Sequence, residues 1–307
     1  MILYHYCSPE GFLGIMQGKK LWLSGLHNMS DYLDGSWVAG IISDVFSELS
    51  SKYSQDAINK VATSYNHSKF SPYVCCFSED GDLLSQWRGY ASDGYGFAIG
   101  FNSDIFPCTH EIPRMANLGD GNKEKLNLSR IEYDADKQKS LVKHLVEFAL
   151  IYEENGMQFD ANLMQAQSAY LDTISLEMGI QQPFPYFNTS MDTAIRWLIG
   201  YAVIAKNPAF HEEKEYRLIH APLVMASRTT NKTTQSLFEL SEPKYRISRN
   251  RVCSYYEFDF SEHIKEGIIQ EIILGPKNET SGSDLRALLG RMDKSDIEIK
   301  KSKASYR

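Results

Sequence analysis

Residues Tyr73–Asn102 read YVCCFSEDGDLLSQWRGYASDGYGFAIGFN, and this stretch organises the reading of the chain. Tyr73 to Phe77 has the apolar, β-branched and aromatic texture of a strand. Ser78 to Asp82 is an acidic turn. A short helix-like piece carries Gln86, Trp87, Arg88 and Tyr90. Ser92-Asp93-Gly94 then turns the chain into a second strand, Gly96 to Phe101. Strand, turn, polar-aromatic knot, turn, strand hangs Gln, Trp, Arg and Tyr over a sheet edge. A large aromatic such as Trp87 commonly serves the core. Packing alone gives no reason to gather Gln86, Arg88 and Asp93 around it.

Working outward, Met1 to Tyr6 is an apolar-aromatic strand with His5 inside it. Ser8-Pro9-Glu10 is a helix start, with Ser as N-cap, Pro at the first helical position and an acid in the first turn. Phe12, Leu13, Ile15 and Met16 form that helix's apolar face, and Gly18 stops it. Leu21 to Ser24 is the next strand, followed by a polar loop at 27–31. Val38 to Leu49 and Ala57 to Tyr65 are helical. Downstream, Gly119 to Gly121 marks a turn and Leu128 to Tyr133 a strand. Gln138 to Glu154 and Ala161 to Met178 place apolar residues at three- and four-residue spacing, the mark of amphipathic helices. Pro183 and Pro185 break the pattern, and Asp192 to Ala205 is a third helix. KEYRLIH, Lys214 to His220, is a strand. A Ser-, Thr- and Asn-rich loop covers 227–241. Val252 to Phe258 and Glu271 to Leu274 are strands, Asp284 to Leu289 is a helix, and Asp296 to Lys300 is a last strand. The expected architecture is α+β, one domain over 1–307, with small mixed and antiparallel sheets and a helical insertion over 136–206.

Composition bounds the function. The 307 residues hold 32 basic and 39 acidic side chains, a net charge of -7, which argues against a broad nonspecific grip on nucleic acid. The five cysteines form no CxxC pair and suit reduced, structural thiols in a cytoplasmic protein without a zinc site. No secretion signal and no long apolar span is apparent, so no membrane association is expected. The signatures GxxxxGK[ST], GxSxG and HExxH are absent.

Three groups carry chemistry. His5 is a lone histidine in a strand, commonly a half-buried structural residue. The second group is the knot of Gln86, Trp87, Arg88 and Tyr90. The third is Glu212-Glu213-Lys214-Glu215-Tyr216-Arg217. In a continuous strand Glu213, Glu215 and Arg217 share one face, with the carboxylates roughly 7 Å apart. Such neighbours can hold one another ionised and oriented without burial. The plainer reading is a solvated edge strand with alternating ion pairs.

LYHYCSPEGFLGIM, CFSEDGDLLSQWRGYASDGYGFAIGF, HEEKEYRLI, and EIILGP followed by IEIKKS together resemble the bacterial family catalogued as domain of unknown function twenty-nine seventy-one. That resemblance covers most of the chain except the helical block. The order of a first-strand His, a helix, a Trp/Leu strand, an aromatic-polar segment and a late-strand Glu is also similar to the ADP-ribosyltransferase fold. That second similarity implies a split sheet and NAD as substrate. It implies that His5 holds the ribose, that Trp87 or Tyr90 stacks on the nicotinamide, and that Glu215 or Glu213 supports the sugar cation. Tyr6, Ser24, Gln86, Arg88 and Arg217 complete the implied cofactor-binding set, with no metal. The aromatic-rich turn usual after the second strand of that fold has no counterpart here. The acceptor stays open, a macromolecule or simply water, and a toxin or anti-phage setting is an extension that gene neighbours would test. Two other readings compete. A metal-dependent nuclease would use Glu212 and Lys214 as an acid-x-Lys pair with Asp192 upstream. A non-catalytic binding or sensing module would use the helical block to recruit a partner.

Overall fold

The computed structural model describes residues 1–29, 37–68, 72–109, 126–155, 191–221, 240–248, 250–292 and 296–306. Its elements are β1 (Ile2–Cys7), α1 (Pro9–Gly18), β2 (Lys20–Gly25), α2 (Trp37–Leu49), α3 (Gln55–His67), β3 (Tyr73–Ser78), α4 (Leu84–Tyr90), β4 (Phe97–Asn102), β5 (Cys108–Thr109) and β6 (Leu126–Arg130). They continue with α5 (Ala135–Asn155), α6 (Met191–Ile204), β7 (Glu215–His220), β8 (Lys244–Ser248), β9 (Arg251–Asp259), β10 (Ile269–Leu274), α7 (Gly282–Gly290) and β11 (Glu298–Lys301). The expected helix at 161–178, the proline break at 183–185, the turn at 119–121 and nearly all of the 227–241 loop lie outside the described residues.

Local chemistry starts the helices where the sequence indicates. Ser8 Oγ accepts the Gly11 N–H at 3.0 Å and Pro9 opens α1. Ser54 and Ser281 cap α3 and α7 in the same way, satisfying otherwise orphaned amides.

The fold is α+β and the pairing is mostly antiparallel; among the described strands β10 with β11 and β5 with β6 run parallel. The sheet order is β11-β10-β4-β1-β3-β2-β9-β8, and β7, β6 and β5 branch from β3. The expected separate small sheets are therefore one connected 11-stranded sheet with a fork in it. β7 pairs with β3 along its full length. On the other edge of β3, β2 takes Tyr73 and Val74, while β1 takes only Ser78, opposite Tyr4. Cys75, Cys76 and Phe77 are left without a strand partner on that edge.

Alternation along the strands sends side chains to two cores. Val74 and Ile219 join α2, α3, α5 and α6 in one core. Cys75, Phe77 and Leu218 join α1, α7 and a set of phenylalanines in the other. The vicinal cysteines thus face opposite ways. α5 and α6 leave the sheet after β6, return to its neighbour β7, and bury against α2 and α3. No helix among the described residues is long and apolar enough to cross a membrane.

A third, smaller core holds Tyr6, Trp87, Ala91, Ala98 and Ile273, and it seats α4 on the sheet. Its rim is closed by backbone crossing backbone. Gly275 N–H donates to Gly96 O at 3.0 Å. A Cβ added at Gly96 would lie 2.1 Å from Cys7 O and 2.9 Å from Ala91 O, both main-chain atoms. Gly96→Ala is therefore expected to cost about 3 kcal/mol, the upper part of the usual overpacking range. A urea-denaturation midpoint indistinguishable from wild type would contradict this packing.

Candidate functional site

The fork holds a cavity of about 90 Å³. β1 contributes Tyr4, His5 and Tyr6, and β3 contributes Cys76 and Phe77. α4 contributes Gln86 and Tyr90. Met29, Lys206, Glu213 and Glu215 complete the wall. The lining is largely apolar and aromatic, with its charge concentrated at one end.

His5 occupies the fork itself. Its Nδ1 lies 2.9 Å from the carbonyl oxygen of Cys76, a group without a strand partner on that side. A carbonyl can only accept, so Nδ1 carries the proton, and in the neutral ring Nε2 is left as an acceptor. Burial lowers the His5 pKa below its ordinary 6.5, only partly opposed by the Cys76 bond, which keeps the ring neutral. His5 therefore closes the sheet where the strands diverge and also presents its ring to the cavity.

Tyr6 ties the knot to β1. Its hydroxyl accepts the Leu83 N–H at 2.9 Å and donates to Asp80 O at 2.8 Å. Trp87 lies beneath, fully buried, edge-on to the Tyr6 ring with centroids 4.8 Å apart, and its Nε1–H donates to Asp82 at 2.7 Å. The expectation that Trp87 stacks on a ligand is corrected: its ring is the footing of α4. One helical turn separates Gln86 from Tyr90, so both face the cavity. Tyr90 stands at the mouth, 43% exposed, and its hydroxyl donates to Glu213 at 3.2 Å.

The expected strand over 214–220 begins one residue late, and that residue shapes the charged end. Pro208–Glu213 forms a 3₁₀ segment, and Lys214 is left-handed with φ 47°. Glu213 and Glu215 therefore do not alternate along one strand. They converge on Lys206, whose Nζ lies 2.5 Å from Glu213 and 2.9 Å from Glu215. Arg217 grips Glu215 from behind, Nε to Oε1 at 2.7 Å and Nη2 to Oε2 at 3.1 Å. Its Nη1 donates to Val203 O at 2.6 Å. The Glu215 amide donates to the Tyr133 hydroxyl at 3.3 Å.

Two carboxylates and two cations balance, which is what makes their burial tolerable. Burial would raise the Glu215 pKa, but Arg217 and Lys206 outweigh it and hold the carboxyl down to about 2. Burial would likewise lower the Lys206 pKa, yet Glu215 and Glu213 push it well above its ordinary range. The expected orientation of Glu215 without burial is thus corrected: Glu215 is buried, and so is Arg217.

The remaining expected residues lie elsewhere. Ser24 accepts from Arg246 Nη2 at 3.0 Å, away from the cavity wall. Arg88 points outward and lies 5.6 Å from the centre of the Tyr306 ring. Arg217 backs the site without lining it. Of the nuclease pair, Glu212 is exposed, and Lys214 pairs with Asp80 at 3.2 Å on the surface. Asp192 sits in the first turn of α6. Among the described residues no three His, Cys, Asp or Glu side chains converge to hold a metal ion.

Sequence reasoning missed Lys206, Tyr4, Met29, Cys76 and Phe77. Lys206 left one signal, a cation directly after the apolar run WLIGYAVIA and two residues before Pro208.

A family model matches residues 86–218, a span that includes the helical segments and stops short of the motifs at either end. No curated protein and no solved structure matches the chain. The span carries Gln86, Tyr90, Lys206, Glu213 and Glu215, whereas His5 and Tyr6 lie outside it. Residues 86–218 are thus similar to the family described as protein of unknown function (DUF2971).

Proposed function

We propose that this protein acts on NAD at the fork, cleaving the nicotinamide–ribose bond and passing ADP-ribose to an acceptor or to water. The observation that carries the reading is the meeting of His5 from β1 with Glu213 and Glu215, more than 200 residues away, in one aromatic-walled cavity where the sheet divides. The cavity suits a single ring-sized group. Tyr4, Phe77 and Tyr90 supply the flat walls for it, and the rest of the dinucleotide would extend through the mouth. The first-strand histidine and the late-strand glutamate are the features on which the resemblance to the ADP-ribosyltransferase fold rests.

The bond breaks with its electron pair leaving on the ring nitrogen, which departs as neutral nicotinamide. Positive charge is left on the ribose. His5 Nε2 is available to accept from a ribose hydroxyl. Glu213 is the carboxylate we assign to the sugar cation, because it is half-buried beside Tyr90 at the cavity mouth, whereas Glu215 is buried and gripped by both Arg217 and Lys206. Glu215 positions Lys206, and Lys206 in turn fixes Glu213 on the cavity side. The acceptor's lone pair completes the new bond and its proton is released. Charge placed beforehand where it develops is the main resource of such a site.

The test is calorimetric titration of the purified chain with NAD, followed by chromatographic detection of released nicotinamide. Binding with release supports the reading. No heat and no release at millimolar NAD would overturn it and leave a binding module. Mg²⁺-dependent cleavage of DNA or RNA, lost in Lys214→Ala, would replace it with the nuclease.

A further inference from the structure

The segment Lys244–Tyr256, KYRISRNRVCSYY, contains four basic residues and no acidic one, in a chain whose net charge is -7. β8 and β9 form a hairpin from it, paired from Lys244 with Tyr255 to Ser248 with Arg251 and turning through the left-handed Asn250. β8 is the last strand in the sheet order, so the hairpin forms one edge of the described sheet.

Register decides which side chains share a face. Arg246 is paired with Cys253, Tyr255 with Ser24, and Ser24 with Val74. Val74 shares its side of β3 with Cys76 and Ser78, which are paired with Arg217 and Glu215. The face holding Lys244, Arg246, Arg251, Tyr255 and Trp22 is therefore the side of the sheet that carries the cavity. On that face Trp22 is 45% exposed. The Arg246 guanidinium lies 5.0 Å from the Trp22 ring centre and 5.8 Å from that of Tyr255. Lys20 and Lys244 share Glu257, at 3.1 and 2.8 Å, and Asp259 lies 3.9 Å from Lys20, which balances the two lysines. Arg246 and the exposed Arg251 carry the remaining positive charge.

From this juxtaposition we infer that the β2–β9–β8 face binds single-stranded nucleic acid, with a base stacking on Trp22 and phosphates held by Arg246 and Arg251. The Trp22 ring packs on Tyr255, centroids 4.6 Å apart, and a partly exposed indole among cations suits an unpaired base and its backbone. A duplex, with its bases already stacked, has no use for Trp22. The local charge runs against the net charge of the chain and complements a polyanion.

The experiment is fluorescence anisotropy of the intact protein with labelled 12-nucleotide oligo(dT) and oligo(U), without NAD, so that the result is independent of the fork's chemistry. Binding is expected to weaken with salt at a log–log slope of about -2, as for two or three phosphate contacts. Trp22→Ala is expected to weaken it roughly 5- to 150-fold. Arg251→Glu, a change at an exposed strand end that leaves the core intact, is expected to weaken it and flatten the salt slope. Circular dichroism confirms that each variant is folded. No binding at low salt, equal affinity for a 12-base-pair duplex, or affinity unchanged in both variants would overturn the inference. Competition by poly-glutamate at equal charge concentration would also overturn it and assign the face to acidic proteins.

Discussion

Glu215→Gln is expected to lower the unfolding free energy by about 3–5 kcal/mol, because it removes the buried carboxylate that the buried Arg217 grips through two nitrogens and shares with Lys206. Gln can still accept from Arg217, but its amide then turns a donor toward Lys206 Nζ, 2.9 Å from the present Oε2. A loss of that size lowers the melting temperature by on the order of 10 °C. The acid limb of the stability curve carries the same information. The Glu215 pKa is depressed in the folded state, from 4.5 to about 2. Its contribution is therefore complete above pH 4.5 and disappears as pH falls toward 2. It amounts to roughly 3 kcal/mol over that interval. Urea unfolding at pH 7, 4 and 3 should give curves for wild type and Glu215→Gln that converge as pH falls. A variant within 1 kcal/mol of wild type at pH 7, on the scale of a surface pair, would show that the buried network contributes no more than an exposed one.

Glu213→Gln is the complementary experiment, and its expected effect is on rate. Glu213 lies at the cavity edge, and removing its charge still leaves Lys206 paired with Glu215. The expected stability loss is about 1 kcal/mol. Nicotinamide release should fall by about 10²- to 10³-fold, the loss that follows removal of one preorganised group, equivalent to about 2.7–4 kcal/mol of barrier. The change should appear in kcat with little change in KM, since a carboxylate facing a developing cation acts mainly in the transition state. Release within threefold of wild type would remove Glu213 from the chemistry. An equal loss in kcat and in NAD affinity would make it a binding residue.

Much of the fold could be read in advance because its signals are local. Ser8-Pro9 starts α1 by capping chemistry that spans three residues, and the α2 and α3 helices follow from apolar spacing on one helical face. The strand texture of Tyr73–Phe77 and Gly96–Phe101 shows in the same way. β8 was missed because KYRIS is too polar to read as a strand alone, and it becomes one by pairing with β9.

The site divides along the same line. His5, Gln86, Tyr90, Glu213 and Glu215 were identified by residue type, and all five line the cavity. Trp87 stood beside Tyr90 as a candidate to stack on a ligand because indole chemistry is the same in a core and in a pocket. Only the third core, closing over it from Tyr6 and Ile273, decides between them. The role of Glu215 turned on Lys214. One left-handed residue ends the alternation expected across 213–217 and folds two carboxylates onto a single lysine. No periodicity announces such a residue when it is not glycine. The sequence by itself determined which local segments form and which side chains carry chemistry. The tertiary structure decided where the sheet forks, which charges are buried together and which aromatic rings remain accessible, because each depends on contacts between residues far apart in the chain.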